Sequence, residues 1–161
     1  MKKNKIILTV GPPRSGKSTW SQQYIRENPN TVRVNADRLR EMLFAYNPAR
    51  IREYWNHKKL KENEQIIWYS VNKLVSLLNM RGIDVIVDNI NLKKASLEEF
   101  ETMASFYGDL FYIKEFNTPL NTCISRDQNS TRIVGKIYIT QKYDQFLKLK
   151  ETDYYKTLNK L

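Results

Sequence analysis

The 161-residue sequence predicts an α/β domain: a mainly parallel four-stranded sheet flanked by helices on both faces. Three observations carry that expectation. Four short β-branched or aromatic runs, at 5–10, 31–35, 83–88 and 110–116, read as strands. Apolar residues at helical spacing fill the intervals between them. A glycine-bearing segment, Gly11-Pro12-Pro13-Arg14-Ser15-Gly16-Lys17-Ser18, joins the first strand to the first helix, at the carboxyl end where such sheets present ligands.

Each element has its own local reason. Ile6-Ile7-Leu8-Thr9-Val10 is an apolar run suited to a strand covered on both faces. Thr19 to Arg26 forms a helix that Asn28-Pro29 ends. Thr31-Val32-Arg33-Val34-Asn35 is the second strand, and Asp37 before Arg38-Leu39-Arg40-Glu41-Met42-Leu43 sits where a helix N-cap belongs. Leu60, Ile67, Val71, Leu74 and Leu78 recur at steps of about 3.5 residues, a core-facing stripe on a helix that Gly82 terminates. Ile83 to Asp88 is the third strand. Leu97, Phe100, Ala104 and Tyr107 repeat the helical pattern up to Gly108. After the fourth strand, Leu110 to Phe116, Thr118-Pro119 caps a helix running to about Arg126. Residues 129–136 are polar and basic and read as a loop between helices, while 151–161 carry no clear pattern.

The totals narrow the class. The length suits one domain, residues 1–161, that buries about two-thirds of its unfolded surface. No apolar window approaches the ~20 residues of a membrane span. Met1-Lys2-Lys3-Asn4-Lys5 is followed by only a short apolar run, so export is not expected. The one cysteine, Cys123, allows no internal disulfide and reads as a buried helix position rather than a nucleophile. A balance of 27 basic to 17 acidic residues, net +10, favours a polyanionic partner. The basic residues are spread over Arg38/Arg40, Arg50/Arg52, Lys58/Lys59/Lys61, Lys93/Lys94, Arg126/Arg132/Lys136 and Lys148/Lys150, and many of them suit solvated helix faces equally well. His57, the single histidine, has no partner cluster and is given no catalytic role.

The segment 11–18 is a complete Gly-x-x-x-x-Gly-Lys-Ser phosphate loop. Successive backbone N–H groups opening a helix offer donors and a favourable dipole to a polyphosphate. Lys17 reaches the β- and γ-phosphates, and the Ser18 hydroxyl suits Mg²⁺, which keeps its waters and takes few protein ligands. Asp88, closing the third strand, is placed to hold that Mg²⁺ directly or through water, although an Asp also suits the turn Asp88-Asn89-Ile90-Asn91. Asp37 and Arg40, three positions apart, suit an acceptor hydroxyl beside a phosphate: the acid takes the proton and the guanidinium grips the phosphate bidentately. Arg126 and Arg132 bracket a loop from which a cation can reach the transferring phosphoryl group.

Taken together, Gly11 to Trp20, Asn35-Ala36-Asp37-Arg38-Leu39-Arg40 and Val87-Asp88-Asn89-Ile90-Asn91-Leu92 resemble the kinase module of phage polynucleotide 5′-kinase/3′-phosphatase over nearly the whole chain. The resemblance implies a P-loop kinase fold with a basic lid loop. It implies that ATP or another nucleoside triphosphate is bound through Gly11, Pro12, Pro13, Arg14, Ser15, Gly16, Lys17, Ser18 and Thr19, with Arg126. Mg²⁺ would sit at Ser18 and Asp88, Asp37 would be the base, Arg40 with Asp37 would bind the acceptor, and Lys17 with the lid arginine Arg132 would stabilise charge. The implied acceptors are 5′-hydroxyl ends of DNA or RNA, with no membrane partner and a cytoplasmic setting, that of the host if phage-encoded. Ile137-Tyr138 stands where the family has Val-Pro after the lid, and the spacing from Arg126 to Arg132 is longer. With no Asp-x-Asp pair for phospho-aspartate chemistry, a kinase without the 3′-phosphatase is expected. A small-molecule, nucleotide or nucleoside kinase of the same fold is the alternative, and a nucleotide-dependent switch is a third reading. The missing Asn-Lys-x-Asp sequence speaks against a GTPase.

Overall fold

The computed structural model describes residues 3–47 and 54–161; Met1, Lys2 and the basic pair Arg50/Arg52 noted above lie outside the described residues. Strands β1 (Lys5–Val10), β2 (Thr31–Val34), β3 (Asp84–Val87) and β4 (Leu110–Glu115) form a four-stranded sheet in the order β2-β3-β1-β4, with every neighbouring pair parallel. The described helices are α1 (Lys17–Glu27), α2 (Ala36–Phe44), α3 (Leu60–Met80), α4 (Lys94–Phe106), α5 (Leu120–Gln128), α6 (Lys136–Glu151) and α7 (Asp153–Thr157). The α/β expectation holds, with β2, β3 and β4 slightly shorter than their sequence runs.

Central β1 has Ile6, Ile7, Leu8 and Val10 all without exposed surface, because alternate side chains point to opposite faces and both faces are covered. Ile6, Leu8 and Val10 join Val85, Val87 and Ile113 in one cluster, closed by Ile67, Val71 and Val75 of α3 and by Leu97, Phe100 and Ala104 of α4. Burying each of these Val, Leu, Ile and Phe side chains is worth about 1.5–3 kcal/mol relative to exposure.

The stripe expected on α3 is corrected here: Val75 is buried and Leu74 is 38% exposed. Buried positions 67, 71, 75 and 79 advance by four, and a 3.6-residue period tolerates that drift along one face as well as the shorter step. The chain end, which carried no sequence signal, also has a structural role. Tyr155 of α7 is fully buried, donating its hydroxyl to Glu115 Oε2 at 2.8 Å. Ile113 N–H donates to Asn159 O, and Leu161 N–H to Ile113 O, both at 2.9 Å, so the last residues pair along the outer edge of β4 and cover it.

Because the strands are parallel, the segments following β1, β2, β3 and β4 all emerge at one edge, and the candidate site is assembled there. No described helix is long and apolar enough to cross a membrane.

Candidate active site

The phosphate loop is shaped by close approach. At Gly11 a Cβ would lie 2.9 Å from the Phe116 carbonyl oxygen, a separation side chains essentially never reach, so β1 can turn beneath the start of the next segment only with glycine. Gly16 is the N-cap of α1 at φ 100°, a left-handed geometry that strains any L side chain. Having no side chain, it leaves the first amides of α1 without a side-chain cap, and no acid occupies the first turn. An anion is therefore the natural partner of that helix start.

Lys17 is 8% exposed and folds back on the loop, donating to Pro12 O at 2.5 Å and to Ser15 Oγ at 3.3 Å. Burial lowers its pKa from 10.5 to about 8, against the raising influence of Asp88 and Cys123. Thr118, expected to cap the following helix, instead donates its hydroxyl to Ser15 O at 2.8 Å, and Pro119 stands uncapped at the head of α5. Ser18 and Thr19 are exposed.

The turn after β3 locks the adjacent strand ends together. Asn91, at φ 47°, donates from Nδ2 to Thr9 O at 2.8 Å and to Val87 O at 3.0 Å. Asp88 is 1% exposed, with Oδ2 at 2.6 Å from Arg33 Nε and Oδ1 at 3.4 Å from the Thr9 hydroxyl. Asn89 Oδ1 accepts from Ala36 N–H at 3.1 Å, and Asn35 Oδ1 accepts from Arg38 N–H at 3.0 Å.

These amide contacts correct the capping expectation. The N-cap of α2 is Asn35, not Asp37, which lies in the first turn. Asparagine at the end of β2 already has the extended backbone that a cap requires, and its carboxamide satisfies the helix amide. The Asp37 carboxylate is thereby left to its arginine partners.

Its two oxygens face two arginines. Oδ1 accepts from Arg40 Nη1 at 2.8 Å, and Oδ2 lies 3.4 Å from both Nη1 and Nη2 of Arg132. Arg40, 7% exposed, gives its Nε and Nη2 to the two carboxylate oxygens of Glu64, each at 2.7 Å. Burial would lower the Arg40 pKa, but the Glu64 hydrogen bonds and charge outweigh it and hold the guanidinium above its ordinary value. Burial likewise raises the Glu64 carboxyl, and the Arg40 and Tyr54 hydrogen bonds outweigh that, leaving it lowered. With the Nε–Nη2 edge taken by Glu64, the end-on N–H groups are what Arg40 can offer a phosphate. Arg132 also donates to the Tyr46 hydroxyl at 2.7 Å and lies 5.5 Å from that ring's centroid; its Nε is buried and has no hydrogen-bond partner among the described residues.

The loop carrying Arg132 is moored by Asp127, 2% exposed in α5, which accepts from Val134 N–H at 3.0 Å, Gly135 N–H at 2.9 Å and Arg14 Nε at 2.8 Å. Burial raises this carboxyl, but the two amides and Arg14 prevail and lower its pKa. Arg14 donates from Nη2 to the Arg132 carbonyl oxygen, and Arg126 Nη1 donates to the Arg14 carbonyl oxygen at 3.1 Å. The two bracketing arginines thus differ: Arg126 lies against the phosphate loop, whereas Arg132 reaches Asp37. Cys123 is fully buried, and burial pushes its thiol pKa up, which is the wrong direction for a nucleophile.

The structure thus joins Asp37, Arg40 and Arg132 in one network and links that network through Arg14 and Asp127 to the phosphate loop. Sequence reasoning missed Glu64, Tyr46, Arg33 and Asp127. Only Asp127 left a signal, an acid four positions after Cys123 on the face that α5 buries. Ser18 offers an exposed hydroxyl and Asp88 a carboxylate, oxygen donors of the kind Mg²⁺ takes when nucleotide phosphates complete its shell. Among the described residues no group of three or more His, Cys, Asp or Glu side chains could hold a metal by itself.

A family model described as AAA domain matches residues 6–135. The chain is 23% identical over 157 residues to a protein named as a bifunctional polynucleotide kinase/RNA ligase in Autographa californica nuclear polyhedrosis virus, covering 94% of this chain and 22% of that protein. It superposes with TM-score 0.76 and 26% identity on a chain of a Pnkp1/Rnl/Hen1 RNA repair complex, covering 94% of this chain and 46% of the other. It also shares its fold, at TM-score 0.57 and 20% identity, with the Mycobacterium tuberculosis APS kinase CysC in complex with AMPPNP and APS, covering 79% of this chain and 70% of that one. The chain thus spans about a fifth of the viral relative's length and under half of the repair-complex chain.

Proposed function

The chain belongs to the AAA domain family, with the fold of P-loop kinases, and on that premise we propose that it transfers the γ-phosphoryl group of ATP to the 5′-hydroxyl end of DNA or RNA. The observation that carries this reading is the Asp37 carboxylate, relieved of capping by Asn35 and held between Arg40 and Arg132 at the same sheet edge as the phosphate loop. An acid placed this way serves an incoming hydroxyl better than it serves a helix end. The net charge of +10 and the relatives named for polynucleotide kinase and RNA repair support a nucleic-acid acceptor.

In this reading the backbone N–H groups of residues 14–18 and the Lys17 ammonium grip the β- and γ-phosphates. Ser18 and Asp88 would hold Mg²⁺, which would supply positive charge to offset that of the polyphosphate. Asp37 accepts the proton of the 5′-hydroxyl as that oxygen bonds to the γ-phosphorus and the bond to the β,γ-bridging oxygen breaks, releasing ADP. Arg132 leaves its long contact with Asp37 and turns to the equatorial oxygens, where charge spreads in the transition state. Arg40, fixed by Glu64, orients the acceptor through its adjoining phosphate.

The test is transfer from labelled ATP to 5′-hydroxyl DNA, 5′-hydroxyl RNA, a 3′-mononucleotide and a nucleoside. Oligonucleotides are expected to be labelled, with affinity falling steeply as salt rises. Labelling of a nucleoside as efficient as that of an oligonucleotide at moderate salt would overturn the acceptor assignment in favour of a small-molecule kinase.

A further inference from the structure

Asp88 is gripped by the strand beside it. Three consecutive residues at the end of β2 take its polar groups: Arg33 Nε meets Oδ2 at 2.6 Å, Val34 O accepts from the Asp88 N–H at 2.9 Å, and Asn35 Nδ2 donates to the Asp88 carbonyl oxygen. The parallel register explains the match. Val34 pairs with Val87 and both lie in the core cluster, so their neighbours Arg33 and Asp88 project from the opposite face of the sheet, where the Thr9 hydroxyl stands 3.4 Å from Oδ1.

Arg33 interrupts an otherwise β-branched run, Thr31-Val32-Arg33-Val34, and its pairing with Asp88 is what the interruption serves. The Asp88 side chain is 1% exposed and that of Arg33 15%. Taking a carboxylate and a guanidinium this far out of water carries a desolvation cost that their attraction offsets only in part, so the pair is weak evidence of a stability device. What it secures is an oriented carboxylate whose charge is already balanced by one fixed cation.

That balance bears on the metal side of the site. Asp88 is one of the two side chains assigned above to Mg²⁺, and among the described residues no group of three or more His, Cys, Asp or Glu could hold a metal by itself. A guanidinium on the same carboxylate repels a divalent ion by the law that draws the ion to Asp88. The side chains alone therefore exert little net attraction, and phosphate oxygens must tip the balance.

We propose that Arg33 is a positioning residue that fixes the Asp88 carboxylate and offsets its charge, so that a divalent ion is held only together with nucleotide phosphates. The inference rests on the kinase reading above and deepens it. Arg33 acts through Asp88 and has no step of its own in the transfer.

The experiment titrates the full chain and two variants with ADP by calorimetry, once with Mg²⁺ and once in EDTA, with no acceptor present. The ratio of the two affinities reports how well the ADP complex holds the metal, and a folding defect that weakens both titrations alike leaves it unmoved. Arg33→Gln keeps a hydrogen-bond donor for Asp88 but removes the charge, so the ratio is expected to rise about tenfold, the scale of one unit charge acting on a divalent ion through a high effective dielectric. Arg33→Lys keeps the charge and should hold the ratio at the parent value, which keeps the test decisive if the Gln variant does not fold. A ratio unchanged or lowered by Gln, or raised by Lys, would overturn the assignment. The two readings fail separately. A ratio that rises with Gln in a chain that labels none of the acceptors sinks the transfer reading alone, and labelling of 5′-hydroxyl oligonucleotides with a ratio indifferent to Arg33 sinks this inference alone.

Discussion

At the phosphate loop the contacts that place the lysine and open the helix are short in sequence: Lys17 reaches back to Pro12 and Ser15, and Gly16 opens α1 by its own backbone angle, while Thr118 and Arg126 buttress the loop from across the chain. On the acceptor side they are long: Asp37 meets Arg132 across 95 positions, and Arg40 meets Glu64 across 24. The loop offers an anion backbone dipoles that exist as soon as the turn and helix form. The acceptor side offers side-chain charges that face one another only once β2, α3 and the lid loop have docked. Asp127 joins the two regions, holding Arg14 of the loop and the amides of Val134 and Gly135 at once.

The sharpest way to break this comparison is Asp37→Asn. It removes the proposed base and leaves the loop intact, so kcat is expected to fall by about 10²–10⁴ while calorimetry finds ATP affinity unchanged. A parallel loss of ATP affinity would mean that the regions are not separable.

Asp127→Asn tests the link between them. Losing charge-assisted hydrogen bonds at a buried acceptor is expected to cost about 1.5–3 kcal/mol of stability, read from the denaturant midpoint. The KM should rise for ATP and for acceptor together, since one side chain serves both regions. A change confined to one substrate would place the link elsewhere.

The smallest effect sharpens the loop side alone. Lys17 must be protonated to pair with phosphate, and in the free protein its pKa is lowered to about 8. ATP affinity should therefore weaken about tenfold from pH 7 to pH 9, and Lys17→Met should flatten that dependence. Folding responds with the opposite sign. The unfolded chain keeps this proton up to the ordinary 10.5 while the buried amine releases it near 8, so the unfolded state binds more protons in that window and this group's contribution to stability rises with pH across it. An unchanged ATP affinity at pH 9 would show that the lysine is not desolvated.

Legibility in the sequence follows the same division. The strand runs, the loop and the glycine stops were readable because each depends on neighbours a few positions away. The core face of α3 was misplaced by one residue, Leu74 for Val75, because periodicity defines a stripe but the sheet beneath selects its edge. Asp37 had two sequence readings, cap and base, and no local rule could choose between them while Asn35 offered the same capping chemistry two positions earlier. Glu64 and Tyr46 gave no sign at all, since an acid or a tyrosine on an amphipathic segment resembles any solvated residue until its partner is known.

By itself the sequence determined that there would be parallel strands and a loop able to bind phosphate, because backbone angles, hydrogen-bond periods and the need to bury apolar side chains are short-range and repeat along the chain. Only the tertiary structure decided which charges meet. The order β2-β3-β1-β4 and the mooring at Asp127 bring residues 37, 40, 64 and 132 into one network. Charge pairing falls off with distance in space and is indifferent to separation in sequence, so it stays undefined until the sheet and its helices are in place.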